Sequence, residues 1–296
     1  MFFRGFFDFE ERCQKRDVIK FFWKLKKRVI YESFDCYNII IKVKGVKLKL
    51  SKSLYTRGLQ CQKSLWLKKH NKDVLTPPNA AAQAIFENGN EVGDLACKLF
   101  PNGVEIPYHN TTFQDKIDLT QEYINQGTQN IYEATFEFDG ILIMIDILNI
   151  KDNSVIINEV KSSTQVKDIY LHDASIQYYV LNGLGYDVKK VNIIHINNEY
   201  VRDEELDINQ LFSVVDVTYE VKELQANIKN NLEIFRKTLA KEDEPNIDIG
   251  THCNDPYECD AKNYCWSHIP NYSIFDISRL KSQKKFELYQ NGILEF

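Results

Sequence analysis

Seven of the eight residues from Ile141 to Leu148 are large and apolar, and the eighth is Asp146. An ionised carboxylate in such a setting costs on the order of several kcal/mol unless it is paired or bound to metal, so any fold of this chain must give Asp146 a partner. The segment Ala134 to Leu148 reads as one strand, and Val155 to Lys161 reads as a second, after the turn signal Lys151-Asp152-Asn153-Ser154. Together they predict a β-hairpin feeding a core sheet. Glu159 and Lys161 stand two apart and share a face, while Val160 points to the other. A carboxylate on each of two neighbouring strands, with a lysine beside one of them, can converge on a single divalent cation, and oxygen donors suit magnesium or manganese. Such a trio serves phosphodiester hydrolysis: the metal polarises the phosphate and acidifies a bound water, and the lysine positions that water and offsets developing charge. The blander alternative is an edge salt bridge between Lys161 and either carboxylate.

Tyr170 to Leu181 has the pattern of a helix closed by Gly183 and Gly185, and an apolar strand follows from Val188 to Ile196. Strand, helix, strand predicts a parallel crossover, which starts the helix near Glu159 and Lys161 and lets Gln177 reach the site or a phosphate. His172 and Asp173 read as residues of the helix N-terminus. Upstream, Ala80 to Phe100 is a helical pattern ended by Pro101-Asn102-Gly103 and carrying Glu87, Asn90, Glu91 and Asp94. Glu87, Glu91 and Asp94 share a face, and one of them, with Glu91 the choice here, could complete the metal site; a solvated helix face is the alternative. No GxxxxGK[ST] loop is present, so the sequence carries no nucleotide-driven motor of that type.

Seven cysteines is an odd number, and nothing in the sequence marks it for export, so a disulfide framework explains them poorly. Cys13, Cys36 and Cys97 are isolated. Cys253, Cys259 and Cys265 follow one another at intervals of five intervening residues in a turn-rich stretch, which suits a loop wrapped around something. Cys61, at a helix start in Gly58-Leu59-Gln60-Cys61, is the natural fourth thiolate, with His252 as a substitute. Four thiolates suit an iron-sulfur cubane, and zinc remains open. A site of this kind would join the two ends of a domain.

The whole chain carries a net charge of −5, yet residues 1–52 hold a local +8 and the remainder −13. The opening stretch mixes five phenylalanines within its first nine residues with lysines and arginines. Val18, Phe22, Leu25 and Val29 fall on one helical stripe, as in a basic amphipathic helix against a membrane surface, an acidic partner or nucleic acid; a plain docking extension is the alternative. No apolar run approaches the roughly 20 residues of a membrane span, and the N-terminus lacks a secretory pattern, so a cytoplasmic location is expected. The predicted division is a basic, aromatic extension over residues 1–45 and one domain over 46–296.

The order helix, Asp146, Glu159-Val160-Lys161, Gln177-Tyr178-Tyr179 and a C-terminal cysteine trio paired with Cys61 resembles the PD-(D/E)XK nucleases of RecB type. It looks closest to their iron-sulfur branch, which includes CRISPR-adaptation exonucleases and AddB-type nuclease domains. Within that branch it resembles a bacterial family of uncharacterised proteins that open like Leu50-Ser51-Lys52-Ser53 and close like Cys259 to Trp266. The resemblance spans about residues 48–290. It implies an α/β restriction-endonuclease-like core, a mixed central sheet flanked by helices, with an iron-sulfur-stapled helical and loop region. It further implies Asp146, Glu159 and the Val160 carbonyl as ligands of magnesium or manganese, Lys161 as the catalytic lysine and Gln177 as the motif glutamine. Cys61, Cys253, Cys259 and Cys265 would hold a 4Fe-4S cluster of mainly structural role. The implied activity is hydrolysis of DNA, on single strands or ends, in DNA repair or adaptation-like processing, with a partner protein or helicase as companion. A noncatalytic nucleic-acid-binding or scaffold module that keeps the fold and cluster is the alternative.

Overall fold

The computed structural model describes residues 29–30, 42–43, 49–151 and 154–295. Val18, Phe22 and Leu25 of the expected helical stripe, together with Cys13 and Cys36, lie outside the described residues, whereas its fourth member, Val29, lies in a strand and not a helix. The chain divides into two compact units, 1–48 and 49–296. In the first, strands β1 (Val29–Ile30) and β2 (Lys42–Val43) pair antiparallel.

The second unit is built on a mixed seven-stranded sheet. Its strands are β3 (Leu50–Ser51), β4 (Val104–Glu105), β5 (Asn130–Phe138), β6 (Ile141–Lys151), β7 (Ser154–Lys161), β8 (Asp187–Ile196) and β9 (Phe212–Asp216). They lie in the order β4-β5-β6-β7-β8-β9, with β3 added parallel to β6. The pairs β5–β6, β6–β7 and β8–β9 are antiparallel, and β4–β5 and β7–β8 are parallel. Two differences from the sequence reading have simple causes. The single strand expected from Ala134 to Leu148 is two strands, because Asp139 (φ 50°) and Gly140 (φ 73°) make a tight turn with both residues left-handed. The helix expected to run to Phe100 ends at Cys97, since Lys98, Leu99 and Phe100 bond back only three residues before Pro101 stops the chain.

The helices are α1 (Lys52–Gln60), α2 (Gln62–His70), α3 (Ala80–Cys97), α4 (Phe113–Asn125), α5 (Asp168–Gly183), α6 (Ile208–Leu211), α7 (Thr218–Leu239), α8 (Lys262–Cys265) and α9 (Ser282–Gln290). The parallel β7–α5–β8 crossover expected from the sequence is present. Helix α5 packs on strands β5 to β8 and against α1 and α7. On the opposite face, Val92 and Ala96 of α3 meet Ile147, Ile194 and Phe212. Ile131, Ile143, Ile145, Ile157 and Ile193 are buried between these layers, as near-continuous apolar runs covered on both faces require. Gly58 in α1 admits α7 closely: a Cβ there would meet the Phe235 ring at 2.9 Å.

Two glycines should respond oppositely to substitution. Gly140→Val places a branched side chain at positive φ and should cost about 1–2 kcal/mol. Gly89→Ala, inside α3 with open space around its Cβ position, should stabilise by about 0.5–1 kcal/mol. Urea unfolding midpoints of both variants check the pair; equal shifts in one direction would contradict the helix and turn assignments.

Candidate active site

The ladder between β6 and β7 runs from the Lys151↔Ser154 pair to Ile147↔Asn158 and stops there. The next opposed pair would be Asp146 and Glu159. Since Leu148 opposes Ile157, the pleat puts Asp146 and Glu159 on one face, the face covered by α5. Beyond this point the strands part. The Val160 N–H, which would otherwise face β6, donates to Asp146 Oδ2 at 2.7 Å. On its freed edge β6 accepts β3 instead, through Leu50↔Ile141 and Ser51↔Leu142. Ser51 caps α1 by accepting from the Leu54 N–H, so the first helical residue, Lys52, begins at the fork.

Three further side chains donate to Glu159, with Asp173 beside them. Lys161 Nζ donates to Glu159 Oε1 at 2.6 Å and to Asp173 Oδ2 at 2.6 Å. Lys52 Nζ lies 2.9 Å from Glu159 Oε1 and 3.1 Å from Oε2, and 3.7 Å from Asp173. Gln177 Nε2 donates to Glu159 Oε2 at 2.5 Å. The Gln177 side chain is fully buried, and its Oε1 has no hydrogen-bond partner. Tyr170 lies with its ring centroid 5.2 Å from Lys161 Nζ and hydrogen-bonds to Tyr257, a residue of the cysteine-bearing loop.

The charges set one another. Burial and the neighbouring Glu159 push the Asp146 carboxyl up to about 7 against the pull of Lys52 and Lys161. Burial also acts to raise Glu159, but the ammonium groups of Lys161 and Lys52 outweigh it and hold Glu159 well below the usual carboxylate range. Asp173 is raised, first by burial and then by Glu159. Burial opposes the charge on both lysines, yet the surrounding carboxylates keep their ammonium groups more firmly protonated than in water. Two carboxylates held at different protonation states beside two ammonium groups form a site able to take up positive charge and to hold and move protons.

Asp146, Glu159, Lys161, Val160 and Gln177 are therefore brought together, while Glu91 is exposed and takes no part in the contacts around them. Glu87 is exposed as well, bonded to Gln83 on its own helix. The salt bridge considered as the blander alternative does form, between Glu159 and Lys161, but inside a larger network. Sequence reasoning missed Lys52 as a site residue and read Asp173 only as part of a helix start. Asp173 sits in the second turn of α5, on the sheet-facing side with Gln177 four residues on; that spacing was the available signal.

A second group forms where α1 meets α2. Cys61, in extended conformation between the two helices, lines one cavity with Cys253, Cys259 and Cys265, joined by Lys63, Ser64 and His252. Cys259 Sγ approaches Ser64 Oγ at 3.3 Å, and Arg57 makes a two-armed bond to Asp260 at 2.7 and 2.8 Å. Gln60 ties the end of α1 to the loop by donating to the carbonyls of His252 and Tyr257. Burial raises the Cys61 thiol, and it raises Cys265 up to about 11 despite the nearby Lys63. Among the described residues, no group of three or more His, Cys, Asp or Glu side chains is set to hold a metal ion. Cys97 stands apart, its thiol pushed up to about 12 by burial and by Asp94.

No protein-family model matches the chain, and no curated protein does. Among solved structures the chain is similar to the crystal structure of SSO0001, with a TM-score of 0.32 and 11% identity over 70% of this chain and 82% of that one. It is also similar to a phage-related exonuclease from Haemophilus somnus 129PT, with a TM-score of 0.30 and 14% identity over 66% of this chain and 96% of that one. Among the described residues, no helix is long and apolar enough to cross a membrane.

The Asp146 environment has a consequence for stability in protein stripped of divalent ions. The folded chain keeps the Asp146 proton to about pH 7, whereas the unfolded chain releases it near 3.8. Between these values the folded state binds more protons, so this contribution is complete below about pH 4 and is lost as the pH rises through 7. Urea unfolding from pH 5 to 8 in EDTA should show wild type weakening relative to Asp146→Asn by on the order of a few kcal/mol. Parallel curves would contradict the raised Asp146.

Proposed function

We propose that this chain is a metal-dependent deoxyribonuclease of the PD-(D/E)XK type, hydrolysing phosphodiester bonds in single-stranded DNA or at DNA ends. The observation that carries the reading is the fork between β6 and β7, which sets Asp146 against Glu159 with Lys161 bonded to Glu159 and a buried Gln177 behind it. Two carboxylates, a backbone carbonyl, waters and a substrate phosphate are a donor set that magnesium or manganese prefers. The unpartnered Gln177 Oε1, buried against Glu159, adds an oxygen that needs a positive or donor group nearby.

Asp146, Glu159 and the Val160 carbonyl would hold the cation. Bound there, it would polarise the phosphate and lower the pKa of a coordinated water. Lys161, fixed from two sides by Glu159 and Asp173, orients the attacking water and offsets charge as it develops on the phosphate oxygens. Gln177 fixes the Glu159 carboxylate through Nε2, which keeps its oxygens aimed at the fork. Glu91, exposed on α3, has no part in this assignment.

Cys61, Cys253, Cys259 and Cys265 would hold a 4Fe-4S cluster. In support, four thiols from distant parts of the chain line one cavity beside Lys63, with Arg57 close to Cys259 and Cys61. The four sulfurs of a cubane site stand farther apart than those around a single ion, and cationic neighbours favour thiolates that burial otherwise disfavours. The cluster's role is to staple α1 and the 253–265 loop, both of which reach the fork, through Lys52 and Tyr257.

Cleavage of labelled single- and double-stranded DNA with manganese tests the main reading. Asp146→Ala and Lys161→Ala should each lose at least about 100-fold in rate, in keeping with the removal of one transition-state charge partner; undiminished turnover in either would overturn it. Salt-sensitive DNA binding without turnover under any divalent ion would favour the noncatalytic module. Anaerobic purification with iron and sulfide analysis should give about four of each per chain, and Cys259→Ser should lower thermal stability more than it lowers the rate of the protein that stays folded. Stoichiometric zinc without iron would contradict the cluster.

A further inference from the structure

Lys52 is absent from the ligand and catalytic sets assigned above, yet its ammonium touches both oxygens of Glu159. Glu159 is fully subscribed: Oε1 accepts from Lys52 and Lys161, and Oε2 accepts from Lys52 and Gln177. A divalent cation that takes Glu159 as a ligand must therefore displace one of these donors. Gln177 is completely buried, and its bond to Glu159 is short at 2.5 Å. Lys161 is held at 2.6 Å by Glu159 and again at 2.6 Å by Asp173. Lys52 has the longer contacts, 2.9 and 3.1 Å to Glu159 and 3.7 Å to Asp173; its side chain is about as exposed as that of Lys161, so the contact lengths single it out. Its stem leaves the first position of α1, at the mouth of the fork, so it can swing outward without moving the helix.

We propose that Lys52 is an internal counter-ion that competes with the divalent cation for Glu159 and, once displaced, offers its ammonium to a phosphate of the nucleic-acid substrate. This rests on the nuclease reading and extends it. A divalent cation on Glu159 would add a double positive charge beside two ammonium groups already in contact with its oxygens, and the repulsion releases the one held by the longer contacts, Lys52. The released ammonium remains tethered beside the site, where a polyanion is its best available partner. Cation binding and substrate binding are thereby coupled through one side chain, with a stated differential interaction in each state.

The test compares wild type, Lys52→Met, Lys52→Gln and Asp146→Asn after EDTA treatment and dialysis. Manganese binding is followed by the EPR signal of the free ion. Binding of a fluorescent single-stranded oligonucleotide is followed by anisotropy with calcium present. Lys52→Met should bind manganese about tenfold more tightly than wild type, because a competitor is gone, and bind the oligonucleotide about tenfold more weakly, as loss of one charge-assisted phosphate contact predicts. Lys52→Gln, which keeps a polar group and loses only the charge, should behave in the same way and serves if the methionine variant fails to fold. Unchanged or weaker manganese binding in folded Lys52 variants, with Asp146-dependent binding intact in wild type, overturns the counter-ion role and leaves the nuclease reading standing. Tighter manganese binding with unchanged oligonucleotide affinity overturns the phosphate role. No Asp146-dependent manganese binding in wild type overturns both this inference and the metal-dependent reading beneath it.

Discussion

The parting of β6 from β7 after the Ile147↔Asn158 pair is the event on which the site depends. A continuous ladder would bury Asp146 against Glu159 with both strands' backbone groups already paired, and two anions would face each other in an apolar layer. Because the strands separate, the Asp146 carboxylate takes the Val160 N–H, and the freed edge of β6 accepts β3. That substitution satisfies a buried backbone donor with a side chain, and at the gap so left two lysines reach Glu159. The electrostatics follow from the gap. Glu159 stays charged because ammonium groups enter it, and Asp146 is raised by burial and then by the charge on Glu159.

The gap is maintained from outside the sheet. Strand β3 leads directly into α1, whose start delivers Lys52 and whose end is tied by Gln60 to the backbone of the loop that carries the cysteine trio. Gly58 lets α1 lie close to Phe235 of α7, and Arg57 bridges to Asp260 within the same loop. The loop in turn brings Tyr257 onto Tyr170, beside Lys161. Residues almost 200 positions apart in the chain thus share one rigid connection, as the Gln60 bond to the Tyr257 carbonyl illustrates. Fixing elements so distant in sequence has a large entropic cost, and four thiols closing on one group would offset it.

Much of the fork between β6 and β7 was legible without a structure because its signals are local. Asp146 stands out against seven apolar neighbours, Glu159 and Lys161 share a face by strand alternation, and the β7–α5–β8 crossover follows from periodicity. The tight turn at Asp139-Gly140 was overlooked because apolar residues continue on both sides of it, although Asp-Gly is a strong hairpin signal. Lys52 and Asp173 were not legible as site residues, since an exposed-looking lysine at a helix start and an aspartate in a helical turn are usually solvated. Glu91 shows the converse: its helical face matched a ligand pattern, but that side of α3 is turned to solvent.

By itself, then, the sequence determined the β7–α5–β8 crossover, the apolar strand around Asp146 and which side of β7 carries charge, because alternation and turn chemistry act over a few residues. It also singled out the four cysteines by their odd placement. Only the tertiary structure decided which distant side chains meet at the fork, that Lys52 and Lys161 both serve Glu159, and that the thiols of Cys61 and the 253–265 loop line one cavity. Those outcomes depend on where β3 docks and how α1 packs against α5 and α7, and such long-range choices are made by burial summed over the whole core, not by any local pattern.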